Sequence, residues 1–262
     1  MAQRLMNAIS PARLNTYRQA CAEQLGVDGD QIALDRVASM YVWQSALGAA
    51  WFENLAYVEP IIRNSVDLAL REMNRNFGES EDWLRAPYGH LESKVKKAAD
   101  AAKRRANIAS KARGTGHPRR GQSVNLDDLV AQLTFGNLAR LFPKELSKSR
   151  SQNKSNRTAE EHLWIDGLKE AFPHVGDLDL DEWGGHPPPL SEELRQCHAV
   201  GRALDRILRL RNRVAHHEQI LRVNHWRRRT DVIQLLNAID SDAAAGFIII
   251  DQIPRILAMK PV

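Results

Sequence analysis

Cysteine and long apolar runs are both scarce in this sequence of 262 residues. Its two cysteines, Cys21 and Cys197, form no C-x-x-C pair, so the sequence predicts neither a disulfide framework nor a thiol catalyst. The longest apolar run, residues 243–250, is far shorter than the roughly 20 residues that a membrane-spanning helix needs. The first ten residues lack the continuous apolar segment of a secretory leader. We therefore expect a cytoplasmic protein that does not enter a membrane.

The motifs of several common enzyme classes are also missing. The nine histidines show no zinc-ligand spacing. His217-Glu218 is followed by Leu221 at the position where a zinc-protease helix carries its second histidine. The sequence has no G-x-x-x-x-G-K-[ST] phosphate loop and no G-x-S-x-G nucleophile turn. We therefore expect neither a metal nor another cofactor.

Positive charge is concentrated in one segment. The net charge is only +5, yet residues 94–120 hold ten Lys or Arg and a single acid, Asp100. A concentrated basic segment favours a polyanionic partner, with nucleic acid first. Lys103, Arg104 and Arg105 are its candidate RNA contacts. A solvated helix face followed by a loop is the alternative explanation of the same charges.

Apolar residues recur mainly with helical periodicity, and no segment shows convincing strand alternation. Helices are predicted over about residues 32–73, 91–112, 126–142, 158–172, 191–217, 226–239 and 241–259. Pro60 must kink the first of these or begin a second helix, and Pro254 is expected to disturb the last. Asn125, Thr158 and Ser191 are predicted N-terminal caps. The fold class is therefore expected to be all-α, a helical bundle.

The helix predicted over 191–217 has two unlike faces. On a helical wheel Arg211 falls in the middle of the apolar stripe. A guanidinium there needs an anion. The anion is either the carboxylate of a structural partner, Glu59 or Glu218, or a phosphate, which the planar guanidinium binds well. The opposite face is basic and carries Arg195, Arg202, Arg206, Arg209, Arg213 and His216.

Arg211 and His216 are separated by about 140° around an ideal helix. They converge only if the helix bends or ends near Val214, or if they meet in a cleft formed with another helix or subunit. Glu59 and Arg63 are four residues apart and form a pair of their own in the alternative interpretation.

Arg211-Asn212-x-x-x-His216 resembles the Arg-x(4-6)-His motif of HEPN-domain ribonucleases. The wider string RLRNRVAHHEQI, residues 209–220, resembles the corresponding segment of the Abi-like (abortive infection) bacterial family. Residues 57–70, 126–142 and 163–173 fit the same family in the same order. The resemblance covers roughly residues 30–260 of one domain spanning 1–262, with residues 1–30 as an N-terminal extension and 91–123 as a basic helix and loop insertion.

The resemblance implies an HEPN-like helical bundle with additional peripheral helices. It also implies metal-independent RNA cleavage, without a cofactor, in antiphage abortive infection or toxin-type growth arrest. Arg211 would hold the scissile phosphate, His216 would serve in proton transfer, and Asn212 would orient one of them or the substrate. The 2′-hydroxyl of the RNA would attack and leave a 2′,3′-cyclic phosphate. Supporting roles fall to Glu59, Arg63, Asn64 and His217, and RNA binding to Arg209 and Arg213.

HEPN sites pair two motifs across a two-fold interface, and this chain has one full motif. Arg63-Asn64 is followed by Leu68 where a histidine would stand. The resemblance therefore implies a homodimer with a composite site, and an antitoxin or another regulatory partner. Pro60 leaves the orientation of Glu59 and Arg63 toward Arg211 open.

Two non-catalytic hypotheses compete with the nuclease. In the first, a helical protein binds RNA or another partner, and Arg211 is a structural ion pair. The second is a scaffold whose basic helix docks an acidic protein.

Overall fold

The structure is a computed structural model that describes residues 7–77, 80–144, 157–183 and 190–261. Every regular element in these ranges is helical, which confirms the all-α class. The α-helices are α1 (Pro11–Leu25), α2 (Leu34–Asn76), α3 (His90–Lys111), α4 (Leu126–Val130), α5 (Phe135–Ala139), α6 (Ala159–Asp166), α7 (Leu180–Trp183), α8 (Glu192–Ala215), α9 (His225–Ile239), α10 (Ser241–Ile250) and α11 (Ile253–Ala258). Short 3₁₀ turns occupy Gly29–Gln31, Leu168–Ala171 and Val175–Asp177. Residues 1–6 of the predicted N-terminal extension lie outside the described residues.

Polar side chains begin three helices at the positions that the sequence predicts. The Ser191 hydroxyl accepts a backbone N–H in the first turn of α8. Thr158 and Glu161 form a reciprocal capping box at α6, and Asn125 and Asp128 form another at α4. Each cap satisfies donors that a helix start leaves without intrahelical partners, so each fixes where its helix begins.

The central helix α2 runs through Pro60 as one element. Pro60 removes the donor that would bond to the Ala56 carbonyl, and both residues lie on the exposed side of α2. The other side of α2 is buried, with Trp51, Val58 and Ile62 each fully enclosed. It packs against α1, α8, α9, α10 and α11 and is the axis around which the core forms.

The single helix predicted over 126–142 is wrong. The segment contains α4 and α5, separated by a turn in which the Thr134 side chain caps the second helix with Asn137. Side chains of Thr and Asn offer the backbone this alternative to a continuing helix. The helix predicted over 158–172 likewise ends early, at Gly167, and a 3₁₀ turn follows.

The last two predicted helices are close to those observed. α9 matches the helix predicted over 226–239. The helix predicted over 241–259 is divided into α10 and α11, and Pro254 lies in the first turn of α11, which confirms the expected disturbance.

The apolar stripe of α8 is buried in the continuous core, as predicted, through Val200, Ala203, Leu204, Ile207 and Val214. Of the helices that the structure describes, none combines the length and apolar character needed to cross a bilayer.

Candidate functional site

The chain reverses direction immediately after α8. His216 is the C-cap, and the N–H of His217 bonds to the Val214 carbonyl at 3.1 Å. The N–H of Glu218 reaches back to the carbonyl of Arg213 at 2.8 Å, which completes a Schellman motif. His217 has φ 52°, a left-handed conformation that is otherwise confined to glycine in the described ranges. A histidine there costs on the order of 1 kcal/mol, and such strain clusters at functional sites.

The segment that follows, residues 216–224, is anchored to α2 by His225. The indole N–H of Trp51 donates to His225 Nδ1 at 2.9 Å, so the ring proton is on Nε2, 3.0 Å from the carbonyl oxygen of Ile220. Burial lowers the pKa of His225 to about 4, against the opposing effect of the Ile220 carbonyl. His225 is therefore neutral at pH 7 and holds the segment in place.

Arg211 pairs with Glu59 of α2. Its Nε lies 3.2 Å from Glu59 Oε1, and the two side chains are 35% and 17% exposed. Glu59, and not Glu218, is thus the carboxylate partner of Arg211, and one side of the pair stays open to solvent. Arg63 instead donates to the carbonyl of Leu133 at 3.3 Å, so it does not form the alternative pair with Glu59.

The remaining motif residues are exposed and lie in separate depressions. Asn212 and His216 are both exposed, but Asn212 lines a large groove whereas His216 lines a small pocket. Arg211 is in the lining of neither. Because α8 stays helical to Ala215, the ideal separation of about 140° around the helix axis applies to Arg211 and the C-cap His216. The end of the helix does not by itself bring the two groups together within one chain. Asn64 is exposed on α2.

Helix α1 forms one wall of the pocket at the two histidines. The pocket has a volume of about 280 Å³ and is lined by Arg13, Thr16, Tyr17, Arg213, His216, His217, Glu218 and Gln219. The guanidinium of Arg13 donates to the carbonyl of His217. Glu23 on the same helix pairs with Arg222 at 2.6 Å. The segment predicted as an N-terminal extension therefore contributes directly to the candidate site, and no motif in the sequence signals it.

A groove of about 910 Å³ follows the polar face of α8. Asn212 lies in its lining, and the acids there are Asp205 and Glu218. Its cations are Lys144, Arg202, Arg206, Arg209, Arg213, Arg222 and Arg228. We call this surface the basic groove. Arg209 and Arg213, predicted as RNA contacts, are both part of it.

Four arginines of the basic groove are absent from the predicted site. For Arg202 and Arg206, the sequence did contain an indication of this surface, because both lie on the same face of the helical wheel as His216. Arg222 and Arg228 come from the segment and the helix that follow α8, and only the tertiary fold brings them here.

The predicted RNA contacts on the basic helix lie on another part of the molecule. Helix α3 packs against α4 and α6. Lys103, Arg104 and Arg105 are exposed on it, and Arg105 donates to the Gln132 carbonyl at 2.8 Å. None of the three is among the described residues that line the basic groove.

Part of the basic loop after α3 stabilises the fold. Arg113 and Arg119 both bind Asp128, at 2.6 Å and 2.7 Å. Desolvation is the largest single effect on the pKa of the Asp128 carboxyl and raises it. The Asn125 backbone hydrogen bond and the two arginines together outweigh desolvation, so the pKa is lowered. Because Lys94 also pairs with Glu160, three of the ten cations in residues 94–120 are engaged by acids of the chain itself.

No cluster of three or more His, Cys, Asp or Glu within the described ranges is arranged to hold a metal ion. Comparison of the chain with protein-family models, with curated proteins and with solved structures found no match.

Proposed function

We propose that this protein is an Abi-like member of the HEPN-domain ribonuclease superfamily and cleaves RNA without a metal. The observation that carries the proposal is the end of α8, where Asn212 and His216 are exposed, Arg211 is 35% exposed, and the basic groove adjoins them. A histidine for proton transfer and an arginine for phosphate charge are sufficient chemical groups for cleavage through the 2′-hydroxyl.

In the proposed reaction Arg211 binds the scissile phosphate. Glu59 accepts from its Nε, which orients the guanidinium and leaves the terminal nitrogens for phosphate oxygens. His216 takes the proton of the 2′-hydroxyl as that oxygen bonds to phosphorus. The bond from phosphorus to the 5′ oxygen breaks, the leaving oxygen is protonated, and a 2′,3′-cyclic phosphate and a 5′-hydroxyl result.

The proposal includes a two-fold homodimer, because Arg211 and His216 leave one α8 on different sides. Exposed apolar side chains on α2 support it: Phe52 and Leu68 are 64% and 66% exposed. Phe52 also lines a cavity with His217, so exposed apolar surface lies beside the site. Exposed apolar surface of this kind marks association sites. A second copy docked there would bring its own α8 end to a shared cleft.

The proposed biological role is antiphage abortive infection or toxin-type growth arrest in the cytoplasm. A ribonuclease acting on the RNA of its own cell needs control, so an antitoxin or another regulatory partner is part of the proposal. RNA is the proposed substrate, and no cofactor is required by the chemistry.

The test compares the wild-type protein with Arg211→Ala, His216→Ala and a surface control, Arg75→Ala, whose guanidinium pairs with Glu72 on an exposed part of α2. We expect cleavage of single-stranded RNA in EDTA by the wild type and the control. Both site variants should lose at least about 100-fold in rate and keep the wild-type oligomeric state. Cleavage at the wild-type rate by both site variants would refute the catalytic assignment.

A non-catalytic RNA-binding protein is the second candidate, and the Arg211–Glu59 pair favours it. If the pair is purely structural, Arg211→Ala leaves an acid that is 17% exposed without its partner. The variant would then lose about 1–2 kcal/mol of stability, and bound RNA would stay intact with every variant.

A further inference from the structure

Arg202 lies in the middle of α8 and lines the basic groove, and it has no carboxylate partner in the described part of the chain. Its Nε and Nη2 are buried and have no hydrogen-bond partner among the described residues. Burial lowers the pKa of Arg202, and the neighbouring Arg206 and Arg227 lower it further. Unpaired buried cations are costly. An anion in the groove would offset part of this cost through its charge, although the two buried nitrogens are themselves closed to solvent.

The other cations of the groove are only partly neutralised. Asp205 is shared by Arg209 and Lys144, at 2.8 Å from each. The buried Asp231 is shared by Arg206, Arg228 and Arg227, the last of which lies outside the lining. Two acids thus pair with five cations, four of them in the groove, which leaves the surface positively charged.

Arg222 has Glu23 as its partner, whereas Arg213 pairs with no acid in the described part of the chain. The seven cations of the lining therefore exceed the available acids even when Asp231 and Glu23, which lie outside the lining, are included.

The spacing of these cations matches a chain of phosphates better than a single anion. Arg202, Arg206, Arg209 and Arg213 recur every three or four residues along one face of α8, over about 16 Å of an ideal helix. The row ends at Arg213, which lines both the groove and the pocket of His216. Guanidinium forks bind phosphate oxygens through two parallel hydrogen bonds.

We propose that the basic groove is a track for the backbone of single-stranded RNA, in which Arg202 binds one phosphodiester away from the bond that is cut. The choice of RNA as the polynucleotide rests on the proposed function. An acidic protein is the competing class of ligand, and the row of arginines along one face of α8 favours the regularly spaced charges of a phosphate backbone over it. The track would direct the strand toward Arg213 and His216.

The experiment measures binding of a 2′-O-methyl RNA oligonucleotide, which has the phosphate backbone but no attacking hydroxyl. The wild-type protein, Arg202→Met and the control Arg75→Met are compared by fluorescence anisotropy at several salt concentrations. We expect Arg202→Met to bind about tenfold more weakly, with a slope of log K against log salt smaller by about 0.7, the loss of one phosphate contact. Arg75→Met should stay within about twofold of the wild type.

The thermal stability of the free protein separates a ligand site from a structural role. Because Arg202→Met removes a buried cation that lacks a partner, its melting temperature without RNA should equal or exceed that of the wild type. A lower melting temperature together with unchanged RNA affinity would overturn the proposal. Arg202→Lys keeps the charge and loses the fork, so an intermediate affinity supports the same conclusion even if Arg202→Met fails to fold.

Two further probes test the class of ligand. If poly-glutamate binds as tightly as the RNA at equal ionic strength, with the same dependence on Arg202, the groove is a site for acidic chains and the RNA assignment is wrong. The second probe is inorganic phosphate. If phosphate raises the melting temperature of the wild type but not of Arg202→Met, while the two proteins bind RNA equally, the site binds a single phosphate and the track is refuted. Because the oligonucleotide cannot be cut, failure of the nuclease proposal and failure of the track give different results.

Discussion

Replacing Glu59 by Gln removes the charge that faces Arg211 and preserves the shape of the side chain. At the observed 3.2 Å, the gross attraction is about 5 kcal/mol at an effective dielectric constant of about 20. Solvent screening and desolvation offset most of this, because Arg211 is 35% exposed. Exposed pairs contribute about 0.2–1 kcal/mol, and breaking buried pairs costs about 3–5 kcal/mol. For this half-buried pair we expect a loss of about 1–2 kcal/mol, or a fall of about 4 °C in Tm.

A double-mutant cycle with Glu59→Gln, Arg211→Gln and the double variant assigns the effect to the pair. Urea unfolding should give a coupling energy of about 1 kcal/mol. RNA cleavage by the folded proteins should fall about tenfold for Glu59→Gln and more than about 100-fold for Arg211→Gln, because in the proposed mechanism only the guanidinium touches the phosphate. A direct role of Arg211 would be refuted if the two single variants lost cleavage equally and the loss in each matched its loss of folded protein.

Three further predictions concern the scaffold that holds the site. The pKa of His225 falls from about 6.5 in the unfolded chain to about 4 in the fold. Between these pH values only the unfolded state binds the extra proton, so the free energy of unfolding falls as the pH drops. Urea unfolding should show about 2 kcal/mol lost between pH 7 and pH 5, and a flat profile would contradict this. Gly201→Ala would place a Cβ 1.9 Å from the Pro143 carbonyl oxygen and should lower the free energy of unfolding by about 1–3 kcal/mol. The control Gly48→Ala adds a Cβ where nothing lies within 4 Å and should be neutral or stabilising in the same assay. Asp231 is a fully buried acid that pairs with three arginines. Asp231→Asn should therefore cost about 3–5 kcal/mol in urea unfolding, and a loss below about 1 kcal/mol would show that Asp231 is dispensable.

Local sequence patterns were sufficient for the helices that begin with a strong cap and bury one face. Ser191 and the apolar stripe of α8 are examples, because capping and helical periodicity act within a few residues. The same wheel identified the basic face with Arg202 and Arg206. The pattern over 126–142 misled because Thr134 and Asn137 cap a new helix where apolar periodicity alone favours continuation.

The arrangement around the motif depends on long-range contacts that periodicity does not encode. The sequence left Glu59 and Glu218 as alternative partners of Arg211, and packing of α8 on α2 selects Glu59. The contact of Arg13 with His217 joins residues 204 positions apart, and no local signal predicts it. The left-handed His217 occupies a position where glycine is usual, so its turn was also absent from the prediction.

The end group of the RNA fragments made by the wild-type protein in EDTA is the most informative single measurement. Attack by the 2′-hydroxyl requires a 2′,3′-cyclic phosphate on the upstream fragment and a 5′-hydroxyl on the downstream one, and we expect mass spectrometry to find both. His216→Ala should yield neither. A 3′-hydroxyl end, cleavage that depends on a divalent cation, or RNA that stays intact with the folded wild-type protein would contradict a metal-independent ribonuclease built on Arg211 and His216.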